Sequence, residues 1–267
     1  ILLRDPGQLF LQLAILIIFP VLVVLFDLDG VEQTQRLSES LPETKQQFED
    51  EAATITFNLN LGGLVSGLVM FQVILLTLMG SNNSAREIAG ERAIFEKEKL
   101  GGVRPVAYLA SKVVFLAILV FIQSFWMTAF VQAVCKIPVS SFAPYLVLLL
   151  LVNGSMTSIC LGISSLAKNA DQASLLSIYL VGFQLPLSGA VLALPVVAAW
   201  LSRPFISAYW SWSGIMDSLQ RNYFRYVDEV TETWLAPFAL CLGVLVVHLA
   251  FGIFLAFIGV KRPRWED

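Results

Sequence analysis

Residues Pro144–Ala167 read PYLVLLLLVNGSMTSICLGISSLA, and this run decides the architecture. It holds no Asp, Glu, Lys or Arg, and the uncharged stretch begins as early as Val139. A helix crosses a bilayer core of about 30 Å with about 20 apolar residues. A charge left in that core costs several kcal/mol, so an uncharged run of this length specifies a membrane span.

The pattern recurs on both sides. The apolar runs are 9–26 (with Pro20 inside), 57–79, 106–135, 144–167, 173–194 and 234–260. Charges are absent from Val113 to Cys135, from Gln172 to Ser202 and from Thr233 to Val260. Of the 267 residues, 57% are apolar and 14% are charged, and mean hydropathy is +0.76. Soluble domains hold about a quarter charged residues. The expectation is an all-α membrane protein, one transmembrane domain over residues 1–267 with six spans. Lipids surround it, and no nucleic-acid partner is expected.

Lys and Arg in short loops set the orientation. Arg86, Arg92, Lys97, Lys99 and Arg104 follow the second run, Lys168 lies between the fourth and fifth, and Lys261, Arg262 and Arg264 follow the sixth. The loop after the first run is acidic, from Asp27 to Glu51. Both termini and the Arg86–Arg104 loop are therefore expected in the cytoplasm of a plasma membrane, of bacterial inner-membrane type. Arg203, Arg221 and Arg225 run against the rule locally. Cys135, Cys160 and Cys241 all fall in or beside spans and read as packing residues rather than a disulfide framework. The sequons at Asn82 and Asn153 fall in the cytoplasm and mid-membrane, where they read as chance matches. A chain starting at Ile1 reads as a piece of a longer protein.

The loop after the second run carries the functional signal. Ser84-Ala85-Arg86-Glu87 has the form of a capping box, and Gly101-Gly102 with Pro105 ends what it starts. The expected helix, 84–99, bears Arg86, Glu87, Glu91, Arg92, Glu96, Lys97, Glu98 and Lys99. Such a helix cannot enter lipid. Spacing alone leaves two readings open: a solvated helix with internal pairs such as Arg92 with Glu96, or a docking element for a soluble partner.

Glu91-Arg92-Ala93-Ile94-Phe95-Glu96-Lys97-Glu98, followed by Gly102, Ala107-Tyr108 and Lys112, resembles the coupling-helix stretch of G-subfamily ABC exporters, in a bacterial ABC-2 type variant. Leu187-Ser188-Gly189, Trp200-Leu201 and Ile206-Ser207 with Tyr209-Trp210 resemble the end of that family's fifth span and its re-entrant segment. The resemblance implies a permease domain, most simply a homodimer, moving a hydrophobic or amphipathic cargo such as a lipid by alternating access. ATP and Mg are expected on a partner nucleotide-binding domain, because no G-x-x-x-x-G-K-[ST] loop occurs here. This chain itself is expected to hold no catalytic residue, metal or cofactor. Coupling to the ATPase is expected through Arg86, Glu87, Glu91, Arg92, Phe95 and Glu98. The cargo cavity is expected at Phe71, Gln72 and Leu75 of the second span and Ile178, Gly182 and Leu185 of the fifth. Ala190 and Val191 stand where some relatives place a two-leucine gate. Residues 1–8 are expected as the end of an N-terminal interfacial helix.

Two other classes compete. Gly162-Ile163-Ser164 in the fourth span and His248 in the sixth echo an intramembrane serine protease of rhomboid type, which requires a Ser–His hydrogen bond. A passive channel or secondary transporter is the other. The spans lack the intramembrane acids and arginines that ion coupling uses.

Overall fold

The computed structural model describes residues 6–25, 48–137, 140–190, 194–219 and 233–262, and their regular structure is helical. The helices are α1 (Pro6–Leu25), α2 (Phe48–Ser84), α3 (Arg92–Leu100), α4 (Pro105–Cys135) and α5 (Phe142–Leu166). They continue as α6 (Ala170–Gln184), α7 (Val196–Ser202), α8 (Ser207–Asp217) and α9 (Phe238–Lys261), with a 3₁₀ turn at Arg203–Phe205 before α8. Residues 1–5 of the expected interfacial helix and Val191 of the expected gate lie outside the described residues.

The molecule is apolar on its outside as well as in its core. Ile118, Phe121, Ile122, Phe125 and Trp126 of α4 are exposed, as are Val247, Phe251 and Phe254 of α9. Gln72, Asn83, Gln123 and Asn153 are buried. A continuous apolar exterior calls for lipid or another protein surface to cover it. Among the described residues, Gly62–Ser84, Pro105–Cys135, Phe142–Leu166 and Phe238–Lys261 are long and apolar enough to cross a membrane. The fifth expected span is shorter than its apolar run, because α6 has 15 residues, about 22 Å at 1.5 Å per residue. The first is shorter too, with an apolar part of Phe10–Leu25.

Helix α5, the run that decided the architecture, is the hub. It packs against α9 most extensively, then α2, then α4 and α8. Small residues make this possible. A methyl group on Gly252 would collide with the Ser158–Ile159 backbone, and one on Gly259 with Ser165, so α9 lies directly against α5. Without a hydrophobic drive between helices in lipid, close contact and interhelical hydrogen bonds supply the attraction. The Asn83 amide donates to Gln123 Oε1 at 2.8 Å, and Asn153 donates to Gln123 Oε1 and Ser124 Oγ at 3.3 and 3.2 Å. Gln72 donates to the Met127 carbonyl at 3.3 Å and accepts from the Tyr145 hydroxyl. Asn153 is fully buried in this network, which excludes it as a glycan acceptor.

Beyond α6 the chain doubles back. Gly189, in the left-handed region at φ 75°, hands its carbonyl to Thr233 Oγ1 at 2.6 Å, near the start of α9. The chain then reaches Pro204, whose carbonyl meets His248, well along α9. Helix α8 returns to the start of α9, where Asp217 accepts from the Phe238 amide at 2.7 Å. Every residue of α8 from Ser207 to Met216 is buried.

Candidate functional site at the charged end of the bundle

The charged loop is a bracket bolted to two long helices, and its helix is shorter than the sequence suggests. Residues 85–91 form turns and α3 begins only at Arg92. The physical cause is Ser164, near the end of α5. Its hydroxyl accepts from the amides of Ile88 and Ala89 at 3.1 and 3.0 Å, donors a continuous helix would have used internally. The capping box at Ser84 does not form. Ser84 ends α2 and its hydroxyl donates back to the Gly80 carbonyl at 3.0 Å, while Glu87 turns to α4 instead. At the other end the expected stop is present as a Schellman motif. Val103 N–H donates to the Glu98 carbonyl and Gly102 N–H to the Lys99 carbonyl, both at 3.1 Å, with Gly102 at φ 98°. Pro105, with its pre-set φ, then opens α4.

Charge and aromatic contacts fasten the bracket. Lys112 Nζ lies 2.7 Å from Glu87 Oε1 and 2.7 Å from Glu91 Oε2, with the three side chains 12–18% exposed. The Tyr108 hydroxyl donates to Glu91 Oε2 at 3.4 Å. Phe95, buried, stacks on Tyr108 with ring centroids 4.1 Å apart. Arg92 donates to the carbonyls of Ser164 and Ser165 at 3.3 and 2.6 Å, the last turn of α5. That turn leaves orphan carbonyls carrying partial negative charge, so a cation there is favourable. Glu96 pairs with Lys99 at 3.6 Å.

The residues expected to couple therefore divide. Glu87, Glu91, Arg92 and Phe95 face inward and fasten the bracket to α4 and α5. Ile94, Lys97, Glu98 and Leu100 stay exposed. Arg86 leaves the bracket altogether: its Nε donates to Ser174 Oγ on α6 at 2.5 Å, and its Nη2 lies 3.6 Å from Asp171. Sequence reasoning gave Ser165 no role and tied Lys112 and Tyr108 only to a motif. The available signal was Lys112 itself, a lone cation in an apolar helix, which requires a carboxylate partner.

A cleft of about 560 Å³ lies between α2 and α6. Ile178, Gly182 and Leu185 line it from α6. From α2 the lining is Ile74, Leu78, Ser81 and Asn82, one turn away from the expected residues. Gln72 and Leu75 lie in the core, being 0% and 5% exposed, and Phe71 is partly buried against the same core. On a helix whose two faces are both apolar, periodicity cannot separate the core side from the cleft side. Ala190 packs against the core, its amide donating to Ser188 Oγ at 3.2 Å.

The protease pair is not formed. Ser164 holds the bracket amides. His248 bonds Ser207 through Nδ1 at 2.9 Å and the Pro204 carbonyl through Nε2 at 2.7 Å. A carbonyl only accepts, so Nε2 carries the proton and Nδ1 accepts from the Ser207 hydroxyl. Ser207 is fully buried, so this bond fastens α8 to α9 and reaches no substrate.

Among the described residues, a helical bundle with apolar helices exposed on its outside, buried polar contacts between them and a charged bracket at one end is the build of an integral membrane domain. The chain belongs to the ABC-2 type transporter family, whose model matches residues 2–224. Membrane domains of this family normally pair with an ABC nucleotide-binding domain, and the permease is not the catalytic part. No curated protein matches the chain.

Proposed function

We propose that this chain is the membrane half of an ATP-driven exporter that moves a hydrophobic or amphipathic cargo such as a lipid by alternating access, working as a homodimer. ATP and Mg bind the partner nucleotide-binding domain. In this account α1 and α6 complete six crossings, both termini are cytoplasmic, and α7–α8 is the re-entrant segment. The observation that carries the reading is the bracket. Ile94, Lys97, Glu98 and Leu100 offer an exposed edge to a soluble motor. Behind that edge, Glu87, Glu91, Arg92 and Phe95 join the bracket to α4 and α5. A push on the edge is delivered to two helices at once rather than absorbed by a loose loop. The cleft between α2 and α6 is the cargo path, with Ile178, Gly182 and Leu185 on its wall, and Ala190 and Val191 belong to the gate beyond it.

The test is transport by the reconstituted complex with its ATPase. Phe95→Ala removes the ring stacked on Tyr108 without touching the exposed edge. ATP hydrolysis is expected to persist while transport falls. Normal transport by this variant would refute the bracket as the coupling element.

A further inference from the structure

The cleft between α2 and α6 is oily along most of its length and cationic at one end. Ile74, Leu78, Ile178 and Leu185 supply apolar wall, and Arg86 stands at the end nearest the bracket. Ser174 steadies the guanidinium through Nε. Its other visible partner, Asp171, is 3.6 Å away, and the two side chains are 66% and 93% exposed. Water screens such a pair, so little is lost by exchanging it. Glu87, next in the chain, is held by Lys112 and does not compete for Arg86. A guanidinium presents coplanar N–H donors that match a carboxylate or phosphate in two-point contact.

We propose that Arg86 selects the headgroup of the cargo: the cleft takes an acyl chain whose anionic head, carboxylate or phosphate, displaces Asp171 from the guanidinium. The proposal rests on the cleft being the cargo path. An uncharged amphiphile gains the same apolar burial but leaves the Arg86–Asp171 pair in place, so it binds more weakly.

The experiment uses the full chain in nanodiscs and spin-labelled amphiphiles: a doxyl fatty acid, its methyl ester, and a doxyl-labelled phosphatidic acid. The immobilised fraction is read by electron paramagnetic resonance. The fatty acid is expected to bind about threefold to fivefold tighter than the ester, the factor for one partly screened charge contact. Arg86→Gln is expected to bring the acid down to the ester, and Asp171→Asn to tighten the acid while leaving the ester unchanged. Tight binding of the phosphatidic acid together with the fatty acid assigns the shared anionic head, and tight binding of one alone identifies which source the cleft accepts. Equal binding of acid and ester by the wild type would overturn the proposal, as would weaker acid binding in Asp171→Asn. Ile178→Trp, which fills the cleft, separates the two levels. If it abolishes binding of both probes while Arg86→Gln changes nothing, the cleft stands and the headgroup assignment falls. If it changes neither probe, the cleft is not the cargo path.

Discussion

Replacing Lys112 by Met keeps the unbranched apolar stem of the side chain and removes the ammonium group with its charge. Two carboxylates, Glu87 and Glu91, each lose a partner at 2.7 Å, and both are more than four-fifths buried. Breaking a buried pair by removing one member costs about 3–5 kcal/mol, chiefly because the other charge stays desolvated. The cluster keeps some contact with water, which argues for the lower end, about 3 kcal/mol. That is on the order of a hundredfold in the equilibrium between seated and unseated bracket. Two assays read it in the purified complex: thermal unfolding, and tryptic cleavage at Lys97, Lys99 and Arg104, which should quicken as the bracket lifts. A triple variant adding Glu87→Gln and Glu91→Gln leaves no stranded charge and should recover most of the loss. If Lys112→Met stays within about 0.5 kcal/mol of wild type, or the triple variant is no better than the single, the cluster is not what seats the bracket.

Gly252→Ala should lower the unfolding midpoint sharply, by about 2–3 kcal/mol of overpacking against α5 backbone. Gly243→Ala, whose new methyl meets nothing within 4 Å, should be neutral, and equal effects would contradict the close α5–α9 contact. Charge placed on the exposed edge by Ile94→Asp with Leu100→Asp should weaken co-purification of the ATPase subunit without changing the stability of the permease, and undiminished co-purification would move the docking surface elsewhere. A cysteine at Lys97 should react with a membrane-impermeant maleimide in inside-out vesicles and stay protected in right-side-out ones, since the native cysteines are buried; the reverse pattern would invert the topology.

The long helices were legible because lipid imposes a harsh rule on composition, and α4, α5 and α9 follow their apolar runs closely. The end of α3 was legible because Gly101-Gly102 and Pro105 act locally. Its beginning was not, because the competitor for the Ile88 and Ala89 amides is Ser164, far away in sequence. The same holds for Arg92, whose acceptors are carbonyls that no side-chain pattern announces. In the cleft, the α6 residues Ile178, Gly182 and Leu185 face the cavity, whereas α2 is turned so that Ile74 and Leu78 replace Gln72 and Leu75 there. Gln72 was expected at the cavity from the family resemblance, and it serves Tyr145 and Met127 inside the bundle.

Double electron–electron resonance between spin labels at Lys97 on the bracket and Arg262 at the end of α9 tests the lever most directly. The bracket is fastened to α5, and α5 lies against α9. The distance should be narrow and should stay the same in the nucleotide-free complex and in one trapped with ATP. A broad distribution, or one that changes with nucleotide, would mean the bracket slips on the helices it is supposed to drive.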